Sequence, residues 1–172
     1  MLRYIHVQGK EAPRFHFRDH TSRSFKSVIQ SLVNGSTLVI SSLYRTDVIY
    51  SGEEDRSEDI LKVWELYTQP IASKNALSFI KGRDRTLETF FTSLVSLSSV
   101  AHWYASYLDE FGHACSLDYQ NPILQDLKSC EKYLQESHKT VYRPLPELDS
   151  SDLLPSQEVF DHLSKHINEF LN

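Results

Sequence analysis

The longest hydrophobic pattern in the chain is a run of twenty residues without formal charge, Thr89 to Leu108. Its strongest apolar positions, together with neighbours on both sides, recur every three or four residues, which is the spacing of one helix face. Further apolar groups fall on the other faces, and a helix that is apolar nearly all round is buried on most sides. The pattern therefore predicts one long buried helix from about Arg85 to Phe111, ended by Gly112, with Phe90 and Trp103 in the core.

A membrane-spanning helix is the alternative interpretation of this run, because about twenty residues cross a bilayer. The run, however, carries seven serines and threonines together with His102. It also lacks the basic asymmetry expected at the two ends of a membrane helix, since acidic residues flank both ends. We therefore expect a helix of the protein core and no membrane contact.

The first fifty residues show the pattern of short strands around one helix. Apolar or aromatic residues alternate or cluster in four segments, 2–7, 14–18, 37–40 and 47–50, whereas the segment 25–33 has helical spacing. Asn34 and Gly35 follow that helix as a stop signal. The pattern predicts the order ββαββ for this part of the chain.

The rest of the chain reads as helices. One begins at Ser57, a short one covers 71–80, the long one follows, and Asn121-Pro122 opens another. A proline-containing linker at 143–155 precedes a last amphipathic helix, 156–172. We expect an α+β fold: a helical bundle in the C-terminal two-thirds with a small β-containing N-terminal part. The corresponding division is a β-rich part at 1–52, a bundle core at 53–142, the linker and the docking helix at 156–172.

Composition and length are those of one ordinary globular domain. The chain has 172 residues, of which 40% are hydrophobic and 12% aromatic, so it can bury a sizeable core without disulfide or metal. No secretory signal pattern opens the sequence. Cys115 and Cys130 are therefore expected as free thiols in an intracellular protein, with a disulfide between them as the alternative.

Few side chains have the spacing of a catalytic or metal site. Glu110 and His113 match the Glu-x-x-His spacing of di-iron bundles, but no second copy of this motif exists in the sequence. Glu158, His162 and His166 share one helix face, yet the glutamate of a zinc protease motif is missing after the first histidine. We therefore expect no cofactor, no metal, no small-molecule substrate and no enzymatic activity.

Charge and amphipathicity instead favour contacts with other proteins. Residues 1–26 hold six basic groups, and the segment from Leu145 onward holds six acidic groups and one lysine. Opposite charge at the two ends favours electrostatic choice of partner. We expect a protein–protein interaction subunit of an intracellular multiprotein assembly, in the cytoplasm or nucleus. The alternative is a nucleic-acid-binding accessory subunit, whose basic and aromatic segment around Phe15 and Phe17 would contact the nucleic acid. The candidate partner-binding residues are Arg14, His16, Arg18, Phe160, Leu163, Ile167 and Phe170.

Overall fold

A four-stranded antiparallel sheet forms the middle of the structure. The computed structural model describes residues 1–137 and 142–146. Its strands are β1 (Leu2–Gln8), β2 (Thr37–Ser42), β3 (Arg45–Ser51) and β4 (Ser78–Lys81). They lie in the order β2-β3-β1-β4, with every neighbouring pair antiparallel. The two edges of the sheet are therefore β2 and β4.

Five α-helices and two short 3₁₀ turns accompany the sheet in the described residues. The α+β class is confirmed, with strands concentrated at the N-terminal end and helices dominating the rest of the described chain. The helices are α1 (Thr21–Val33), α2 (Ser57–Glu65), α3 (Arg83–Ser98), α4 (Ala101–Leu117) and α5 (Pro122–Ser137), and the 3₁₀ turns are Ala12–Phe15 and Lys74–Ala76. No helix in this part of the chain combines the length and apolarity needed to cross a membrane.

The helices cover both faces of the sheet, so the fold has three layers and two cores. On one face Phe25 of α1 and Trp64 of α2 pack with Ile5 and Val48. On the other face α3, α4 and α5 pack over the alternate strand residues, among them Ile49. Alternation along β1 and β3 assigns successive residues to opposite cores, as the pleat of a strand requires.

The prediction of one uninterrupted helix from Arg85 to Phe111 is wrong. The chain turns between α3 and α4, where Val100 has extended dihedral angles (φ −115°, ψ 95°). Ser98 and Ser99 donate side-chain hydrogen bonds to carbonyls three residues earlier, which satisfies carbonyls that a continuing helix would use. The break lets the apolar groups on several faces of the run pack in two directions, so the uncharged run serves two helices.

Two further details of that run differ from the prediction. Gly112 does not end the helix, because α4 continues to Leu117. Gly112 lies beside Pro146, and an added Cβ would lie 3.4 Å from its Cγ, an ordinary van der Waals contact. Trp103 is only half-buried and stacks on Tyr44 with ring centroids 4.3 Å apart, whereas Phe90 is fully buried as expected.

Two other segments adopt structures that the pattern did not indicate. Residues 14–18 form no strand: the 3₁₀ turn Ala12–Phe15 has a proline in its first turn and is followed by irregular chain. Residues 71–80 form no helix, because the segment after the second 3₁₀ turn becomes β4 and pairs with β1. In the first case the packing of buried Phe15 and Phe17 overrides a short local pattern, and in the second the pairing with β1 does.

Other boundaries agree with the prediction. Asn34 ends α1 in the left-handed conformation, α2 begins at Ser57, and α5 begins at Pro122. Beyond α5, Tyr142, the last residue of the predicted bundle core, and Leu145, in the predicted linker, are both buried in the core with residues of α4 and α5. The predicted last helix, 156–172, lies outside the described residues, and the division at residue 52 stays a prediction.

Candidate functional site: a groove over the edge of the sheet

The candidate site lies along the edge of β2, a strand whose six residues are all buried and whose outer edge is paired with no other strand of the sheet. The Ser51 amide donates to the Ser36 carbonyl at 2.9 Å, so the Ser36 peptide group faces β3. The Thr37 carbonyl accepts from the Asn121 side-chain amide at 2.9 Å and so points away from β3. Because hydrogen-bonding direction alternates along an antiparallel strand, the backbone groups of Val39 and Ser41 also point outward from the sheet.

A groove of about 860 Å³ lies over this edge, between α1 and α4. Its floor is formed by β2, including Val39 and Ser41. One wall is the polar face of α1 and the other is the face of α4 that includes Ala114 and Leu117. The fold creates the groove because α1 and α4 cover opposite faces of the sheet, and both lie beside its edge strand. An unpaired strand edge inside such a groove is a template for pairing with another extended chain.

One end of the groove is closed by a chain of polar contacts. Lys26 on α1 forms an ion pair with Asp118 at the end of α4. Asp118 also accepts from the Asn121 side-chain amide at 2.9 Å, and the same amide group contacts the Thr37 carbonyl. The edge groups of β2 near Thr37 are therefore satisfied within the protein, whereas those of Val39 and Ser41 lie toward the middle of the groove.

Two histidines lie across the other part of the groove. His20 precedes α1 and His113 lies on α4, with ring centroids 5.9 Å apart, and both side chains are exposed. Glu110 lies one helical turn before His113, half-buried: burial raises the pKa of its carboxyl, while the two histidines lower it. Asp19 and His20 both have positive φ (52° and 60°), a conformation that is uncommon outside glycine and that often marks functional positions.

A second polar cluster lies inside the protein, between the sheet and the α3–α4 layer. The carboxylate of Asp47 is fully buried and accepts four hydrogen bonds. Its partners are Tyr4 Oη at 2.5 Å, His6 Nδ1 at 2.8 Å, Arg45 Nε at 2.8 Å and Tyr107 Oη at 2.5 Å. The cluster joins β1, β3 and α4 through one charge.

The charges of this buried cluster are fixed by one another. Burial alone would raise the pKa of Asp47, but the charge of Arg45 and the His6 hydrogen bond hold it well below its ordinary range. Burial lowers the pKa of His6, so its ring is neutral at pH 7 and its Nδ1 carries the proton it donates to Asp47. Burial also raises the pKa of Tyr4 and Tyr107 well above the usual value. The cluster is one ion pair solvated by neutral donors.

A histidine, an aspartate and two tyrosines in contact could form an acid–base site, but here all four side chains are buried away from solvent. Arg45 and Asp47 are fully buried, and Arg45 is also held by the Phe90 carbonyl at 3.3 Å and by the ring of Phe90. A substrate could reach them only if α3 or α4 moved away. The cluster therefore ties layers together. Sequence analysis missed it, although a signal was present: charged residues at alternate positions 45 and 47, directly before the apolar run 48–50 of the same strand.

The structure separates the predicted partner-binding residues of the N-terminal segment. Arg14 is exposed on the 3₁₀ turn and pairs with Glu11 at 3.5 Å, and Arg18 is exposed beyond that turn. His16 is half-buried, with its Nδ1 3.1 Å from the Ser41 hydroxyl on the floor of the groove. Phe15 and Phe17 are buried, so neither ring is available to stack on a nucleic-acid base.

The remaining candidates contribute no further site in the described residues. Phe160, Leu163, Ile167 and Phe170 lie outside them, as do Glu158, His162 and His166. The described part of the chain holds no group of three or more histidine, cysteine, aspartate or glutamate side chains arranged to bind a metal ion. Cys115 and Cys130 are free and buried, and burial raises the pKa of Cys115 to about 11.

No family model matches the chain. No curated protein is significantly similar to it.

Proposed function

We propose that this chain is a non-enzymatic protein–protein interaction subunit of an intracellular assembly, and that it binds an extended segment of a partner protein along β2. The observation that supports this is the groove over Val39 and Ser41, whose backbone groups point away from the sheet. A strand added there would continue the sheet, which is a common mode of peptide recognition.

The geometry favours an extended segment over other occupants. In a second copy the same edge strand lies between its own α1 and α4, so pairing two such edges would bring four helices together, whereas a single extended segment has only the two walls of one groove beside it. A small molecule is less suitable, because such sites are lined mainly by apolar and aromatic side chains. The α1 wall here is polar, and its lining includes Ser22, Ser27 and Gln30.

The expected affinity follows from the number of available backbone groups. Val39 and Ser41 each offer one donor and one acceptor, so an added strand forms four hydrogen bonds. At about 0.5–1.5 kcal/mol net for each bond, they supply roughly 2–6 kcal/mol. Side-chain contacts in the groove add to this, so we expect dissociation constants between about 1 µM and 1 mM.

The experiment selects hexapeptides from a displayed random library on the full chain and measures their affinity by fluorescence polarisation. Val39→Pro removes the outward amide hydrogen, at an edge position where proline takes no bond from the rest of the sheet. Val39→Ala is the matched control, because it shortens the same side chain but keeps the amide. We expect Val39→Pro to weaken binding about tenfold or more, near 1.4 kcal/mol, and Val39→Ala to weaken it much less.

Several outcomes would contradict the proposal. These are a selection that yields no binder, or binders that ignore Val39→Pro. Concentration-dependent dimers that Val39→Pro abolishes would show a second copy in the groove instead. Salt-sensitive binding of single-stranded DNA that depends on Arg14 and Arg18 would favour the nucleic-acid alternative.

A further inference from the structure

We infer that the segment bound over β2 is acidic, and that a carboxylate of this segment lies beside His20 and His113. This inference rests on the proposed function and specifies the partner. The proposed function depends on the backbone groups of β2, whereas this inference depends on two side chains of the groove walls, His20 and His113. The two imidazole rings come from opposite walls and meet over the groove, so a segment lying on the floor must pass beside both.

The fixed charges of the groove favour an anion on this side. Lys26 and Asp118 neutralise each other in their ion pair at the closed end. Arg23, exposed on the α1 wall, has no carboxylate partner among the residues that the structure describes. Glu110 is the one carboxyl on the α4 wall that faces the histidines, and α1 contributes no acidic residue at all. With both imidazoles protonated, the rings and Arg23 make three cations on this side of the groove, against the carboxyl of Glu110 and that of the exposed Asp19, which precedes His20 in the chain.

Binding of an acidic segment is then coupled to uptake of protons. Histidine is the side chain that gains its charge between about pH 5 and 8. A carboxylate beside the rings favours the charged imidazolium, and the imidazolium in turn favours the bound carboxylate. The affinity therefore rises as the pH falls through this range. The carboxylate of the segment itself stays ionised above about pH 5, because aspartate in a peptide titrates near 3.9.

The test compares a selected peptide that contains aspartate with the same peptide carrying asparagine, on the full chain at pH 7.5 and pH 5.5. We expect the aspartate peptide to bind about five- to tenfold more tightly at pH 5.5, and the asparagine peptide to bind equally at both. The variant His20→Asn/His113→Gln should remove the pH dependence. Asparagine is chosen at residue 20 because it tolerates the positive φ. His102→Gln, an exposed histidine at the start of α4, is the matched control.

Glu110 is the other titrating group beside the rings, so Glu110→Gln is measured in parallel. The inference predicts that the pH dependence survives in Glu110→Gln and disappears in the double histidine variant. The reverse pattern would overturn it. Peptides that depend on the Val39 amide but show neither preference for aspartate nor pH dependence would also overturn it, while leaving the proposed function intact. If no peptide binds to the wild type or to either Val39 variant, the proposed function itself is contradicted.

Discussion

Replacing Asp47 by alanine tests whether the buried ion pair holds the layers of the fold together. The substitution leaves four buried donors without their shared acceptor: two tyrosine hydroxyls, the His6 ring and the Arg45 guanidinium. At about 1 kcal/mol for each donor, the cost is roughly 4 kcal/mol. This agrees with the range of about 3–5 kcal/mol for breaking a buried pair by removing one partner.

Urea unfolding, followed by circular dichroism, measures the change in free energy of unfolding. We expect Asp47→Ala to lose about 4 kcal/mol, whereas Asp59→Ala, which removes a half-exposed aspartate with surface ion pairs on α2, should lose less than about 1 kcal/mol. In Asp47→Ala/Arg45→Met the unpaired charge is gone too, so the double variant should recover about 1 kcal/mol or more relative to Asp47→Ala. A loss below about 1 kcal/mol for Asp47→Ala, or a double variant weaker than the single one, would refute this reasoning.

The difference in unfolding free energy between the wild type and Asp47→Ala should depend on pH in a defined way. The pKa of folded Asp47 is held below its ordinary value, so its stabilising contribution is complete above the unfolded value of about 3.9. The contribution is lost as the pH falls through the folded value. Asp47 also favours the protonated form of His6, so the difference in stability between wild type and Asp47→Ala should not shrink from pH 7 to about 5 and should shrink only below about pH 4. A difference that already shrinks between pH 7 and pH 5 would contradict the assignment of the charge.

Three further predictions follow from burial and close contacts. Phe90→Ala should lower the free energy of unfolding by about 3–5 kcal/mol, and Trp103→Ala by less than half as much, because Trp103 is only half-buried. Equal losses for the two variants in urea unfolding would contradict this. Gly35→Ala should lower the melting temperature by several degrees, since its Cβ would lie 2.2 Å from a β3 carbonyl oxygen; an unchanged melting curve would show that the turn has room. Cys115 and Cys130 should resist iodoacetamide at pH 8 in the native chain and react on unfolding, because both are buried and burial raises the pKa of both thiols; rapid native labelling by mass spectrometry would show otherwise.

The helix ends that the sequence predicted correctly are those set by a residue at the end itself. Asn34 ends α1 because asparagine tolerates the left-handed conformation, and Asn121 caps α5 by accepting the Ile123 amide at 2.9 Å. Phe15 and Phe17 are buried with Arg14 and Arg18 outside, although the backbone there is not a strand.

The features that could not be predicted depend on distant residues. The break before Val100 has no glycine or proline to mark it, and it depends on how α3 and α4 pack against the sheet. β4 became a strand because β1 offered it an edge, and its four residues have too short a pattern to indicate this. The groove likewise needs α1, β2 and α4 together, and His20 and His113 are 93 positions apart in the sequence.

Amide hydrogen exchange of Val39 and Ser41, measured by NMR with and without a selected acidic peptide, tests the central claim most directly. Leu38 and Ile40 are the internal controls, because their amides face β3 and are already bonded in the sheet. The account predicts that the peptide slows exchange at Val39 and Ser41 about tenfold or more and leaves Leu38 and Ile40 unchanged. Protection that appears elsewhere on the molecule, or strong protection of Val39 and Ser41 before any peptide is added, would contradict an open edge that receives a partner strand.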